Sequence, residues 1–296
     1  MHIVMTGATA GIGLEAALQL SAAGRADILV GARTPAAAPT ALKPVATLLE
    51  VDLASLASVR AFAATVAARG PIDVLILNAG LQSKGYKTSA DGFELTFAVN
   101  HLAHYQLARD LIPNLAPDAR VIFTSSGTHD PEEHTPMPTP LHADAGRLAR
   151  PDTDPQRDAN AGKAARRAYS TSKLCNVMTV RELARRLAQT RPDVAVAAFD
   201  PGFTPDTGLA RAHGPVVLWI VQNVVPLVMR GGRVSTARIS GRLLAEMATS
   251  PAYASARGSY HAVRSGALVE QPPSILARDD AAAAKLWDDS AALVGL

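Results

Sequence analysis

The sequence predicts an α/β fold: one doubly wound, Rossmann-type domain with a mainly parallel, seven-stranded sheet flanked by helices. Three observations lead there. A glycine-rich run, Thr6-Gly7-Ala8-Thr9-Ala10-Gly11-Ile12-Gly13, joins a short apolar strand to a helix. Short apolar runs then alternate with amphipathic stretches along the chain, and parallel neighbours in a sheet need such crossover helices. Ile72–Leu77 reads as a near-continuous apolar run, the pattern of a strand covered on both faces.

Taken in order, Ile3–Thr6 is a buried strand and Gly11–Ala22 a helix with Leu14, Ala17 and Leu18 on one side. Asp27–Gly31 and Ala46–Val51 are the second and third strands. Ser55–Arg69 is a helix on which Leu56, Val59, Ala63 and Val66 follow the 3.6-residue period, closed by Gly70. After the strand Ile72–Leu77, Asp91 and Glu94 form a capping pair for a long helix through Leu111. Arg120–Thr124 is the fifth strand and Ala165–Gln189 the next helix. Val194–Phe199 is the sixth strand, Arg233–Ala248 a helix, Gly258–Ala262 the seventh strand, and the alanine-rich tail a closing helix. Two stretches break the rhythm. The segment 129–167 is rich in Pro, Asp and Arg and lacks periodicity, reading as a structureless insertion. The segment 203–230 is strongly apolar and follows a strand's carboxyl end, where a substrate lid belongs.

Composition narrows the function classes. Of 296 residues, 48% are hydrophobic and 19% charged, which supplies a sizeable core and excludes a mainly disordered chain. The net charge is only +3 with dispersed arginines, and aromatic residues are 4%, so a nucleic-acid partner is not expected. A single cysteine, Cys175, excludes a disulfide framework and a cysteine-rich metal site. His129, His134 and His142 lie among acidic residues in the Pro-rich segment without regular ligand spacing, so they read as a solvated loop and no metal is expected. No signal peptide and no stretch long enough to span a bilayer are evident, which makes a cytoplasmic protein the expectation, with peripheral membrane contact through the apolar 203–230 segment left open.

Candidate site residues fall at strand ends. Gly7, Thr9, Gly11, Ile12 and Gly13 suit a pyrophosphate, because glycine permits close backbone approach and the helix N-terminus favours an anion. Arg33 follows the second strand, where the adenosine ribose of a dinucleotide sits; a cation there suits a 2′-phosphate and predicts NADP(H) over NAD(H). Asp52 and Leu53 close the third strand beside the adenine position, and Asn78, Ala79 and Gly80 close the fourth. Tyr169 and Lys173 stand four apart on one helix face, so a nearby ammonium is expected to lower the phenol's pKa for acid–base work. Ser126 ends the fifth strand, where its hydroxyl can polarise a carbonyl oxygen. Asn100 is a polar residue in an apolar helix, suited to holding a water. Pro201, Gly202, Thr204 and Thr207 follow the sixth strand at its carboxyl end, and the sequence does not choose between the two threonines as a ligand-facing hydroxyl.

In their order and spacing these motifs resemble the short-chain dehydrogenase/reductase family, nearly end to end. The resemblance implies a tetrad of Asn100, Ser126, Tyr169 and Lys173, with Tyr169 and Lys173 also meeting the cofactor. Ala90-Asp91-Gly92-Phe93-Glu94, Asn100-His101-Leu102-Ala103-His104 and Tyr169-Ser-Thr-Ser-Lys173-Leu-Cys-Asn176 are similar to the branch of retinol dehydrogenases, the WW-domain oxidoreductase and protochlorophyllide reductase. That branch implies NADP(H) and an apolar carbonyl or alcohol substrate interconverted by hydride transfer. Light-dependent double-bond reduction is an alternative, but the insertion holds none of the cysteines that the resemblance implies for it. A cofactor-binding sensor or scaffold without turnover is the reading from another class. Long helices over 91–111 and 165–189 build dimers in this family, so homodimer and monomer both stay open.

Overall fold

A computed structural model describes residues 1–24, 26–206 and 232–296. The chain forms β1 (His2–Thr6), α1 (Gly11–Ala22), β2 (Asp27–Ala32), β3 (Thr47–Glu50), α2 (Leu56–Ala67) and β4 (Ile72–Leu77). A helical rod follows: an α turn, α3 (Leu95–Phe97), a π-helical segment (Ala98–Leu102), and α4 (Ala103–Leu111). Then come β5 (Leu115–Thr124), α5 (Ala145–Ala149), the long α6 (Ala161–Leu187), β6 (Ala195–Asp200), α7 (Ala237–Thr249), β7 (Arg257–Arg264), β8 (Ala267–Glu270) and α8 (Asp280–Val294).

The sheet order is β3-β2-β1-β4-β5-β6-β7-β8, parallel throughout except for the β7–β8 pair. The doubly wound prediction holds, with eight strands rather than seven. The extra strand is an edge hairpin whose two turn residues, Ser265 (φ +50°) and Gly266 (φ +78°), both lie in the left-handed region, as a type I′ turn requires. Chain order reverses at β1 and β4, so their carboxyl ends open a crevice for a ligand.

Each sheet face has its own core. On one, α2, α4 and α6 bury Phe62, Phe97, Tyr105, Leu174 and Met178. On the other, α1 and α7 bury Met5, Leu20, Leu243 and Met247. The apolar period of α2 appears as predicted, with Leu56, Val59, Ala63 and Val66 all buried. In α1 the buried residues are Gly13, Ala16, Ala17 and Leu20; of the predicted face Ala17 is fully buried and Leu14 and Leu18 are half-buried, because small residues let α7 come close. A Cβ on Gly241 of α7 would lie 2.4 Å from the Glu15 Cβ and 2.8 Å from the Ile12 carbonyl oxygen.

The expected capping pair divides between two helices. The Glu94 carboxylate accepts from Phe97 N–H at 2.7 Å, as predicted, but Asp91 accepts from Leu56 N–H at 2.9 Å and so caps α2. The 129–167 segment, expected to be structureless, is folded. It contains α5, with Ala145 and Ala149 fully buried, and the Ala149 carbonyl accepts Glu94 N–H at 2.8 Å. It has no apolar period because ion pairs hold it, among them Arg147 on Asp154 and Arg167 on Asp158. The helix bearing Tyr169 starts inside it, four residues earlier than predicted, capped by Asn160. No described helix is long and apolar enough to cross a membrane.

Candidate active site

The glycine loop leaves β1 and enters α1. Ala10, at the N-cap, offers no side-chain hydrogen bond, so the first-turn amides of Gly11, Ile12 and Gly13 lack the usual protein cap. Free amides at a helix N-terminus suit an anion. Gly7 has φ +70°, and a Cβ on it would stand 2.6 Å from Ala79 Cα, which ties the loop to the end of β4. Thr6 makes that tie: its Oγ1 accepts from Asn78 N–H (3.1 Å) and Ala79 N–H (3.2 Å). Asn78 returns a bond from Nδ2 to the Gly7 carbonyl at 3.1 Å, and its Oδ1 accepts from Thr124 Oγ1 at 3.1 Å.

Arg33 lies exposed just past β2, and no carboxylate among the described residues pairs with it. Asp52 accepts from Ala54 N–H at 2.9 Å, and Leu53 packs on the core beside it. Gly202 has φ +71°, and a Cβ there would meet the Arg233 carbonyl oxygen at 2.6 Å. Pro201 is buried and Thr204 half-buried just past β6. Thr207 and the residues beyond it in the 203–230 segment predicted as a lid lie outside the described residues. Phe203 and Val234 form a parallel bridge.

Ser126, Tyr169 and Lys173 converge at the carboxyl end of β5. The Ser126 side chain lies close enough to Tyr169 to favour its phenolate. The Lys173 ammonium donates to the Thr124 carbonyl at 3.0 Å and stands 5.6 Å from the Tyr169 ring centre. Of the serine pair, Ser125 is structural, donating to the Lys173 carbonyl at 3.0 Å, which leaves Ser126 for the cleft. A Cβ on Gly80 would meet Lys173 Nζ at 3.4 Å and Asn100 Oδ1 at 3.5 Å, so glycine there keeps the floor open.

Two expectations change. The Tyr169 phenol is raised rather than lowered: burial first, then the negative charge of Asp200, push it up to about 12, with Ser126 opposing. Burial pulls Lys173 down to about 8, against the pull of Asp200. Asn100, expected to hold a water, has protein partners for both amide protons and keeps one Oδ1 lone pair for it. Its Oδ1 accepts from Leu81 N–H (2.8 Å), while Nδ2 donates to the Leu81 carbonyl (2.9 Å) and to Ser172 Oγ (3.0 Å). Its backbone carbonyl, in the π-helical segment, meets His104 Nδ1 at 3.1 Å.

His104 has a role that the sequence reading did not assign. It is fully buried, and its Nε2 lies 3.0 Å from Thr6 Oγ1. The Asn100 carbonyl can only accept, so Nδ1 carries the proton and Nε2 takes the Thr6 hydroxyl's. Burial draws its pKa down to about 4, which keeps it a neutral brace between the glycine loop and Asn100. His129, read as solvated, is buried: its Nδ1 lies 2.7 Å from the Ser126 carbonyl, and Nε2 accepts from Ser274 N–H at 3.4 Å. His142 pairs with Asp154 at 2.9 Å. Asp200 and Thr124 were likewise missed, since only pairing of β5 with β6 brings them to the site.

Residues 1–136 match the short chain dehydrogenase family. Protochlorophyllide reductase A, chloroplastic, of Oryza sativa subsp. japonica is 32% identical over 99% of this chain and 80% of its own length. The chain belongs to the short-chain dehydrogenase family. Protochlorophyllide reductase of Avena sativa is 31% identical with 99% of both chains covered. An uncharacterized protein from Mycobacterium paratuberculosis has a crystal structure that superposes with TM-score 0.74 at 26% identity, covering 99% of this chain and 93% of its own. BdcA, solved in complex with NADPH, shares the fold at TM-score 0.63 and 20% identity, covering 90% and 95%. The family's glycine loop, Asn78-Ala79-Gly80 and the Tyr169/Lys173 pair all lie along one edge of the sheet.

Proposed function

We propose that this protein is an NADP(H)-dependent oxidoreductase that interconverts a carbonyl and an alcohol on an apolar substrate, with Tyr169 as the proton-transfer group. The observation that supports it most is the meeting of Ser126, Tyr169 and Lys173 beside a glycine loop whose first-turn amides lack a protein partner. When bound, the nicotinamide supplies or accepts the hydride. The amides of Gly11 to Gly13 would hold the pyrophosphate, and Arg33 the 2′-phosphate. A substrate oxygen between the Ser126 and Tyr169 hydroxyls would receive two hydrogen bonds. Tyr169, held protonated by burial, then gives its proton to that oxygen in the reducing direction. Lys173 supplies positive charge beside the resulting phenolate.

NADPH consumption with aldehydes, ketones and quinones tests this reading. Tyr169→Phe is expected to lower turnover about 10³-fold while NADPH binding, followed by its fluorescence, stays close to the parent's. Undiminished turnover in that variant removes Tyr169 from the chemistry.

The protochlorophyllide reductases among the relatives favour a second reading, reduction of a tetrapyrrole double bond under illumination. Against it stands the cysteine content: Cys175 is the sole thiol, fully buried and pushed well up in pKa by that burial. NADPH oxidation with protochlorophyllide in light and none in darkness would establish the second reading over the first.

A further inference from the structure

Ser126 is the N-cap of a single 3₁₀ turn, Gly127–His129. Its hydroxyl oxygen accepts from Thr128 N–H at 3.3 Å. That bond uses a lone pair and leaves the hydroxyl proton free to be donated. One turn this short holds its shape poorly, because 3₁₀ hydrogen-bond geometry is weak. Anchors on either side fix it instead. Before it, Ser125 N–H donates to the Phe199 carbonyl at 2.7 Å, and Ser125 Oγ to the Lys173 carbonyl at 3.0 Å. After it stands His129, only 1% exposed.

The Ser126 carbonyl accepts twice from His129, from the backbone N–H at 3.2 Å and from ring Nδ1 at 2.7 Å. The ring is itself held. Its Nε2 accepts Ser274 N–H at 3.4 Å, and Tyr260 meets it edge-on with ring centres 5.1 Å apart. The Tyr260 hydroxyl donates to the buried Asp200 at 2.8 Å, and Asp200 accepts from Gly202 N–H at 3.0 Å, which roots the anchor in β6 and β7. These partners fix the tautomer. A carbonyl only accepts and a backbone N–H only donates, so Nδ1 carries the proton and Nε2 a lone pair. Burial lowers the imidazole's pKa, with the Ser126 carbonyl and the nearby carboxylates opposing, which agrees with a neutral ring.

We propose that His129 is a positioning residue for the reaction: its Nδ1–H pins the Ser126 carbonyl and so holds the serine hydroxyl as a hydrogen-bond donor towards the substrate oxygen. This deepens the proposed function and rests on Ser126 binding that oxygen. A hydroxyl displaced by about 1 Å loses much of its hold on developing charge. The loss falls on the transition state, so it belongs in kcat rather than in KM.

Three variants separate the ring's contacts, read by NADPH consumption with the aldehyde or ketone that the wild type turns over fastest. His129→Gln can still accept Ser274 N–H but brings no donor to the Ser126 carbonyl. Its kcat is expected to fall about tenfold or more at little-changed KM. His129→Asn offers an amide N–H where Nδ1 stands and is expected to recover most of that loss. Ser126→Ala is expected to lower kcat about 10²-fold. Added to it, His129→Gln should cost nothing further, because the hydroxyl that the ring positions is gone. A purely structural histidine would lower kcat by the same factor in both backgrounds. A readout without substrate accompanies these. ¹⁵N NMR of histidine-labelled protein, with His129 assigned by the signal lost in His129→Gln, should show a neutral ring protonated at Nδ1. A ring protonated at Nε2, full turnover in His129→Gln, no recovery in His129→Asn, or an equal loss in both backgrounds overturns the proposal. Should Ser126→Ala keep its turnover, the proposed role of Ser126 itself fails and the positioning role falls with it.

Discussion

Arg33 is an exposed cation with no described carboxylate to neutralise it, so a second negative group at the adenosine ribose would find an unopposed partner. Arg33→Asp is expected to turn preference from NADPH to NADH by tenfold or more in the ratio of kcat/KM values, about 1.4 kcal/mol; an unchanged ratio places the 2′-phosphate elsewhere. Lys173 gives a second prediction. Its pKa is lowered to about 8, so the ammonium is present below that pH and lost above it. Reduction is therefore expected to fall as pH climbs past 8, and a rate that stays flat to pH 10 would separate Lys173 from the proton step. Ser126, Tyr169, Lys173 and the three loop glycines were legible from sequence because their chemistry is encoded by local spacing. Asp200 and His104 were not, because their partners Gly127 and Thr6 stand 73 and 98 residues away, and only the sheet order unites them.

Strands and helices were read correctly where one apolar period ran without interruption, as in α2 and β4. Errors gather where a polar contact decides. Asp91 lies three residues before Glu94 and looks like its partner, yet its carboxylate serves a helix 35 residues back. The insertion shows no apolar period, because ion pairs such as Arg167 on Asp158, whose carboxyl is held down at about 2, hold much of it, and only residues in and next to the short α5 join the core. β8 was missed because a four-residue edge strand gives too short a pattern and its turn is Ser-Gly rather than Asn-Gly. The α1–α7 contact gives the prediction at this scale. Gly241→Val would drive a branched side chain into the Glu15 Cβ and the Ile12 carbonyl oxygen, and neither can retreat without moving the glycine loop. A loss of about 1–3 kcal/mol is expected in urea unfolding, with weaker NADPH binding, since α1 would shift under the pyrophosphate. Full stability in that variant would mean that the helices separate freely.

At the scale of the molecule, the carboxyl ends of the strands form one working edge, while α8 covers the long helices behind it. Trp287 stacks edge-on with Tyr105 at 4.9 Å, and the guanidinium groups of Arg109 and Arg186 lie 5.1 and 5.0 Å from its ring. The Tyr105 hydroxyl donates to the Trp287 carbonyl at 2.9 Å, and His101 Nε2 meets Ser290 Oγ at 3.0 Å. Arg186 and Arg181 of α6 pair with Asp288 and Asp280 of α8. The helices expected to meet a second subunit are thus occupied by the chain's own last helix, and burying them again would require α8 to leave. Light scattering is expected to give one species near 30.9 kDa at micromolar concentration, whereas a dimer would show that another face associates. Trp287→Ala separates the alternatives further. It removes the ring from under two guanidinium groups and should cost about 3–5 kcal/mol of stability, exposing the apolar side of α4. If the variant then associates while the parent does not, α8 is what keeps the protein monomeric.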